Sequence, residues 1–331
     1  MAQPTERSRP LLTRAADHAG TVVAGGGAGS DGSRLAGEGL ALLATVLWAG
    51  GFVLARGLRD SVPPVTLNFW RWVIASVVVA PFTVRATVSS LGAVRRYWRY
   101  LLVAAALGVS LYNTLVYVAG RTTSAVNLSL IGICAPIFIV ILARLYHGER
   151  VGRLRVLGIV LAVTGVVILV SGGSAGRLAS LEFRSGDVWM LAATVVFAAY
   201  SLLARRRPAD LPLPAFVLCT FWVGTLLALP AYLAERAVKG SFALTASTLQ
   251  ALLYLGVGAS VVAFIAWNAA IDRIGAAGPA LIYYLVPVFT ALGGLVFLHE
   301  HIGLVQVGSM ALIVCGTAVG ARAASRPNRN G

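Results

Sequence analysis

Charge is scarce in this chain of 331 residues: 12% are Asp, Glu, Lys or Arg, against about 25% in ordinary soluble domains. With 58% of residues hydrophobic, a water-solvated surface of the usual kind is excluded. Acids are scarcer still, 12 Asp and Glu against 27 Lys and Arg. None falls deep within an apolar run, which argues against a simple proton relay through buried carboxylates. The cysteines, Cys134, Cys219 and Cys315, lie far apart, with neither Cys-x-x-Cys spacing nor histidine at metal-ligand intervals. They read as small apolar residues, and no metal is expected. His18, His147, His299 and His301 fall in the N-terminal stretch or at the ends of apolar runs, so the clustered acids or Ser–His pair of an intramembrane enzyme are missing. Residues 1–37 lack the apolar core of a cleavable signal peptide and are expected to form a disordered tail. Gly27 to Gly32 matches GxGxxG, but no strand–helix–strand unit surrounds it, so neither a nucleotide nor another cofactor is expected.

What the chain does have is long apolar runs. Ten are expected to be membrane-spanning helices, numbered here as spans 1 to 10: 39–56, 65–86, 100–119, 123–146, 154–172, 187–204, 213–234, 249–270, 277–298 and 303–321. Several exceed the roughly 18 residues that distinguish a spanning helix from a buried one. Uninterrupted runs lack the alternation of a barrel, and only helices or closed barrels satisfy their own backbone groups in lipid. The fold class is therefore all-α integral membrane, with the lipid bilayer as the first partner. The net charge of +15 does not point to nucleic acid, because the basic residues sit in short links and form no continuous stripe. With the N-terminus in the cytoplasm, the segments on that side carry 19 Lys and Arg against 7 on the other. The positive-inside rule then places both termini, including 323–331, in the cytoplasm.

The two halves repeat. Ala44-Thr45 and Leu54-Ala55-Arg56 align with Ala193-Thr194 and Leu203-Ala204-Arg205 at an offset of 149. Gly108-x-Ser110 aligns with Gly258-x-Ser260 at 150, and Pro136-x-Phe138, Glu149 and Gly165 align with Pro287-x-Phe289, Glu300 and Gly316 at 151. Repeats at 38–173 and 184–322, each with five spans, must enter the membrane in opposite senses, because five is odd. Such inverted repeats are the architecture of secondary transporters. A scaffold or sensor that arose by duplication is the alternative.

The residues that carry this pattern resemble the EamA-type transporters of the drug/metabolite transporter superfamily. The resemblance rests on ALLATVLWAGGFVLAR, on FWRW around Arg71, on TTSAVNLSLIGICAPIFIVILARLYHGER, and on the stretch from Tyr254 to Gly303. It implies a ten-helix carrier in a plasma or inner membrane that moves amino acids, metabolites or drug-like solutes, often outward. The His147-Gly148 pair before Glu149 departs from the apolar residue expected there. Ten helices suffice for a site within one chain, so either a monomer or a homodimer is compatible.

Pro136 and Pro287 fall near the middle of spans 4 and 9, where each removes a donor and clashes with the preceding turn. Interrupted helices at equivalent places point to a binding site or hinge; a packing kink is the plainer reading. Trp48, Phe52, Tyr112, Asn113, Tyr117, Tyr200, Trp267, Asn268, Tyr283 and Tyr284 are candidates to line a solute site, since aromatics can enclose apolar or cationic groups. Packing or an interfacial belt would explain the same residues. Arg71 is the basic residue clearly within a span, so it either serves function or snorkels to headgroups. Glu149 and Glu300 end spans 4 and 9 as gate latches, proton-coupling acids, or solvated termini paired with a nearby arginine.

Overall fold

The computed structural model describes residues 27–147, 153–174, 184–274 and 277–324, and every regular element among them is helical. Span 1 is Gly27–Gly57, span 2 Pro64–Ser89, span 5 Arg153–Ser171, span 6 Ser185–Arg205, span 7 Leu213–Lys239 and span 10 Leu304–Ala324. Span 3, Trp98–Ala119, is α-helical except for a π-helical stretch at Ala106–Leu111. Span 8 likewise runs Ala246–Leu253, then a π-helical Tyr254–Val262, then Ala263–Ile274. Spans 4 and 9 are each two half-helices: Ala125–Gly132 with Ala135–His147, and Ala277–Tyr283 with Val286–Leu298. Among the described residues, seven helices are long and apolar enough to cross a membrane, and shorter apolar helices lie in spans 5, 9 and 10.

The outward faces confirm the solvent. Phe82, Phe297 and Leu304 are 79%, 75% and 90% exposed, an arrangement that water would penalise and lipid tails accept. Small residues face inward instead: Ala41, Ala44, Ala75, Ala104 and Ala193 are fully buried, letting backbones approach where packing drives association.

The expected tail gives way to helix at 27–37. Glycine disfavours helix, but tertiary contact overrides propensity here: a Cβ on Gly37 would lie 2.7 Å from Ile274 Cγ2 at the end of span 8. Arg34 and Glu38 add an i,i+4 ion pair of 3.0 Å. Residues 1–26 lie outside the described residues.

The two halves pack with a regular logic. Span 1 lies on span 8 and span 6 on span 3; span 9 lies on span 1 and span 6 on span 4; span 2 lies on span 8 and span 7 on span 3. Spans 2 and 7, 4 and 9, and 5 and 10 pair directly. Exchanging each span for its counterpart in the other half maps this set of contacts onto itself. The symmetry reaches single residues. A Cβ on Gly165 would meet Ser309 O, Leu312 and Ile313, whereas one on Gly316 would meet Gly158 O and Ala162; the 151 offset converts one contact into the other. The breaks after Gly132 and Tyr283 are related by the same offset, and the two π-helical stretches overlap at 150.

Candidate functional site

The π-helical stretches widen their helices by one residue per turn and leave carbonyls that side chains capture. Ser260 Oγ donates to Leu255 O at 2.8 Å and Asn113 Nδ2 to Gly108 O at 3.4 Å, each five residues back. Both side chains also accept from Arg71. The Arg71 Nε donates to Ser260 Oγ at 2.8 Å, and Nη1 donates to Asn113 Oδ1 at 2.9 Å and to Tyr117 OH at 2.8 Å. Span 2 thus reaches spans 3 and 8 through one guanidinium turned into the bundle. None of the ion pairs among the described residues involves it. Its counterpart at the 150 offset, Phe221, packs edge-on against Trp72 at 4.6 Å, so the charge is not duplicated.

Two aromatic groups flank this network. Trp48, Trp267 and Tyr283, from spans 1, 8 and 9, form a triangle with ring centroids 5.1, 5.7 and 5.8 Å apart. The Trp48 Nε1 donates to Ala259 O at 3.1 Å, one residue before Ser260. On the other side, Tyr112 of span 3 lies 4.9 Å from Phe197 of span 6, which lies 6.2 Å from Tyr200. Trp48 and Phe197 are repeat counterparts. All six rings are half-buried. Tyr200 fits because Gly108 has no side chain: a Cβ there would sit 2.6 Å from the ring.

Other candidates sit elsewhere. Phe52 is buried in the main core, within 3.3 Å of where a Cβ on Gly132 would project. Asn268 Nδ2 donates to Phe264 O of its own helix at 2.8 Å. Tyr284 is partly buried against the main core. Pro136 and Pro287 each occupy the second position of a new half-helix, where a missing N–H costs nothing. Turns make the breaks themselves, with Cys134 N–H donating to Ile131 O at 3.1 Å and Leu285 N–H to Ile282 O at 3.0 Å. Those two bonds are again related by 151.

One end of the bundle is tied by carboxylates. His299 adopts a left-handed φ of 52° after span 9, and Glu300 accepts from Ala125 N–H at 3.0 and 3.1 Å. That caps the positive N-terminus of span 4, and Arg56 Nε lies 3.6 Å from the same carboxylate. Glu235, at the end of span 7, caps span 2 in the same way, accepting from Thr66 N–H at 2.7 Å and Thr66 Oγ1 at 3.0 Å. Asp187, 1% exposed, accepts from Thr123 Oγ1 and from Asn127 Nδ2. At the other end, Arg96 and Asp210 are 4.0 Å apart and exposed, and hydrogen bonding to the Asp210 carboxylate holds the Tyr97 phenol above its ordinary range. Glu149 lies outside the described residues. Sequence reasoning missed Ser260, Glu235 and Asp187, because their importance lies in partners more than 50 residues away.

The EamA-like transporter family model matches residues 35–171 and again 184–320. An uncharacterised transporter of Archaeoglobus fulgidus is 29% identical over 269 residues, covering 79% of this chain and 89% of the relative. A probable terminal-alkyne amino-acid exporter of Streptantibioticus cattleyicolor is 30% identical over 268 residues, covering 78% of this chain and 84% of that protein. A solved crystal structure superposes with a TM-score of 0.58 at 23% identity, covering 88% of this chain and all of that one, which is a likeness of fold.

Proposed function

Because the chain belongs to the EamA-like transporter family and is a multi-pass small-molecule transporter of the drug/metabolite superfamily, we propose that it is a secondary-active exporter working by alternating access in a plasma or inner membrane. Its solutes are small metabolites, amino acids or drug-like compounds. The observation that carries the reading is the set of contacts that exchanging the two halves leaves unchanged, together with helix breaks at equivalent places in spans 4 and 9. Two arrangements related by near-symmetry have similar energies, so a solute between the repeats meets either side in turn. The rings of spans 1, 3, 6, 8 and 9 supply apolar walls, and Arg71 with its partners supplies polar ones. With both termini cytoplasmic, the carboxylate-tied end is the outer gate, and the relative named as an amino-acid exporter favours outward movement.

The test is uptake and efflux in proteoliposomes across amino acids, nucleosides, sugars and cationic drugs, with and without a proton gradient. Saturable flux that shows counterflow is the expected result. A folded protein that moves no member of the panel would remove the carrier reading.

A further inference from the structure

We infer that Arg71 anchors a carboxylate on the transported solute, which makes the preferred cargo amphipathic carboxylates, amino acids included, and disfavours purely cationic compounds. The inference rests on the transporter reading above and names the chemistry of its site.

A cation inside a bundle is costly unless an anion compensates it. Arg71 sits seven residues into span 2, roughly 10 Å from the helix start at 1.5 Å per residue. Its three hydrogen bonds go to a hydroxyl, an amide oxygen and a phenol, which are neutral acceptors that disperse the charge without cancelling it. None of the ion pairs among the described residues joins an acidic side chain to Arg71. A carboxylate on the solute would supply the counter-charge that these partners do not.

A guanidinium presents five donors in one plane, and Ser260, Asn113 and Tyr117 take three of them, which leaves the two on Nη2 for a carboxylate oxygen. Nε and Nη1 are engaged, while Nη2 makes none of the hydrogen bonds formed among the described residues. The engaged nitrogens fix that plane, since Ser260 and Asn113 are themselves held by backbone carbonyls of the two π-helical stretches. A donor fixed in this way loses little entropy on binding.

Ala259 O holds the Trp48 indole and the next residue, Ser260, holds Arg71. One π-helical stretch thus orients both the anion donor and the Trp48–Trp267–Tyr283 triangle. A carboxylate on Arg71 would leave an apolar body beside those rings. Tyr112, next to Asn113, extends the apolar side toward Phe197.

The experiment is counterflow in proteoliposomes with matched competitors that differ at one group: phenylalanine, phenylalanine amide, phenethylamine and 3-phenylpropionate, and the leucine equivalents. The carboxylates are expected to compete about tenfold better than the amide and the amine, the effect of one charge-assisted hydrogen bond. Arg71→Gln is expected to abolish that ratio, and Arg71→Lys to keep part of it, because lysine keeps the charge but not the planar group that Ser260, Asn113 and Tyr117 hold in place. Equal competition by carboxylate and amide in the wild-type protein would overturn the inference while leaving the carrier intact. A preserved carboxylate preference in Arg71→Gln would do the same. If Arg71→Gln does not fold, the wild-type ratio and Arg71→Lys decide. No flux for any solute, cationic and uncharged ones included, would remove the carrier reading and this inference with it.

Discussion

A carboxylate placed on a helix N-terminus acts twice, accepting from an unpaired backbone donor and offsetting the helix dipole. Glu300 does this for span 4 while lying 3.6 Å from Arg56. Glu300→Ala removes both roles and is expected to cost about 1–2 kcal/mol, while Glu300→Gln keeps an acceptor and costs about half of that. Thermal unfolding in detergent reads the order; equal losses for both variants would mean that a neutral acceptor contributes nothing and the charge carries the whole effect. Trp48→Phe keeps a ring but deletes the donor to Ala259 O, so apparent solute affinity in the counterflow assay should fall by up to about tenfold. Arg71 was legible in the sequence because a charge stands out in an apolar run. Ser260 was not, because a serine in a small-residue segment carries no mark of what reaches it from 189 residues away.

At the level of helices, spans 5 and 10 are held together by reciprocal glycines, and the two differ in what they touch. A Cβ on Gly316 would fall 2.5 Å from Ala162 N and 2.6 Å from Gly158 O, both backbone, whereas one on Gly165 first meets Ile313 Cγ1 at 2.8 Å. Gly316→Ala should therefore destabilise by about 1–3 kcal/mol, and Gly165→Ala by less, since a side chain yields more easily than backbone. Gly39→Ala meets nothing within 4 Å and is expected to be neutral or to stabilise by up to about 1 kcal/mol through helix propensity. The same thermal unfolding series checks all three. Span positions were legible from hydropathy, and the equivalence of Pro136 and Pro287 from the repeat. The form of the breaks was not: the prolines suggested mid-helix kinks, but turns at 133–134 and 284–285 precede each proline. The π-helical stretches were hidden as well, because an i+5 backbone register has no compositional code; only the paired Gly-x-Ser segments hinted that something recurs there.

For the whole molecule, the proposed alternating access rests on the pseudo-symmetry that relates its halves. Buried carboxylates tie one end, with Glu235 and Glu300 side chains 9% and 13% exposed, while the described pair across the other end, Arg96 with Asp210, is 74% and 52% exposed. Exposed pairs of that kind contribute about 0–1 kcal/mol, so the two ends are held unequally in this arrangement. An exchange of roles between repeats would loosen the tied end and tighten the loose one. Distances between spin labels in nanodiscs measure this directly, in a background without Cys134, Cys219 and Cys315, using the pairs Ser61→Cys with His301→Cys at one end and Arg95→Cys with Arg206→Cys at the other. On adding a transported solute, the account predicts opposite changes, one pair lengthening as the other shortens; both pairs moving in the same direction, or neither moving under conditions that support flux, would contradict it.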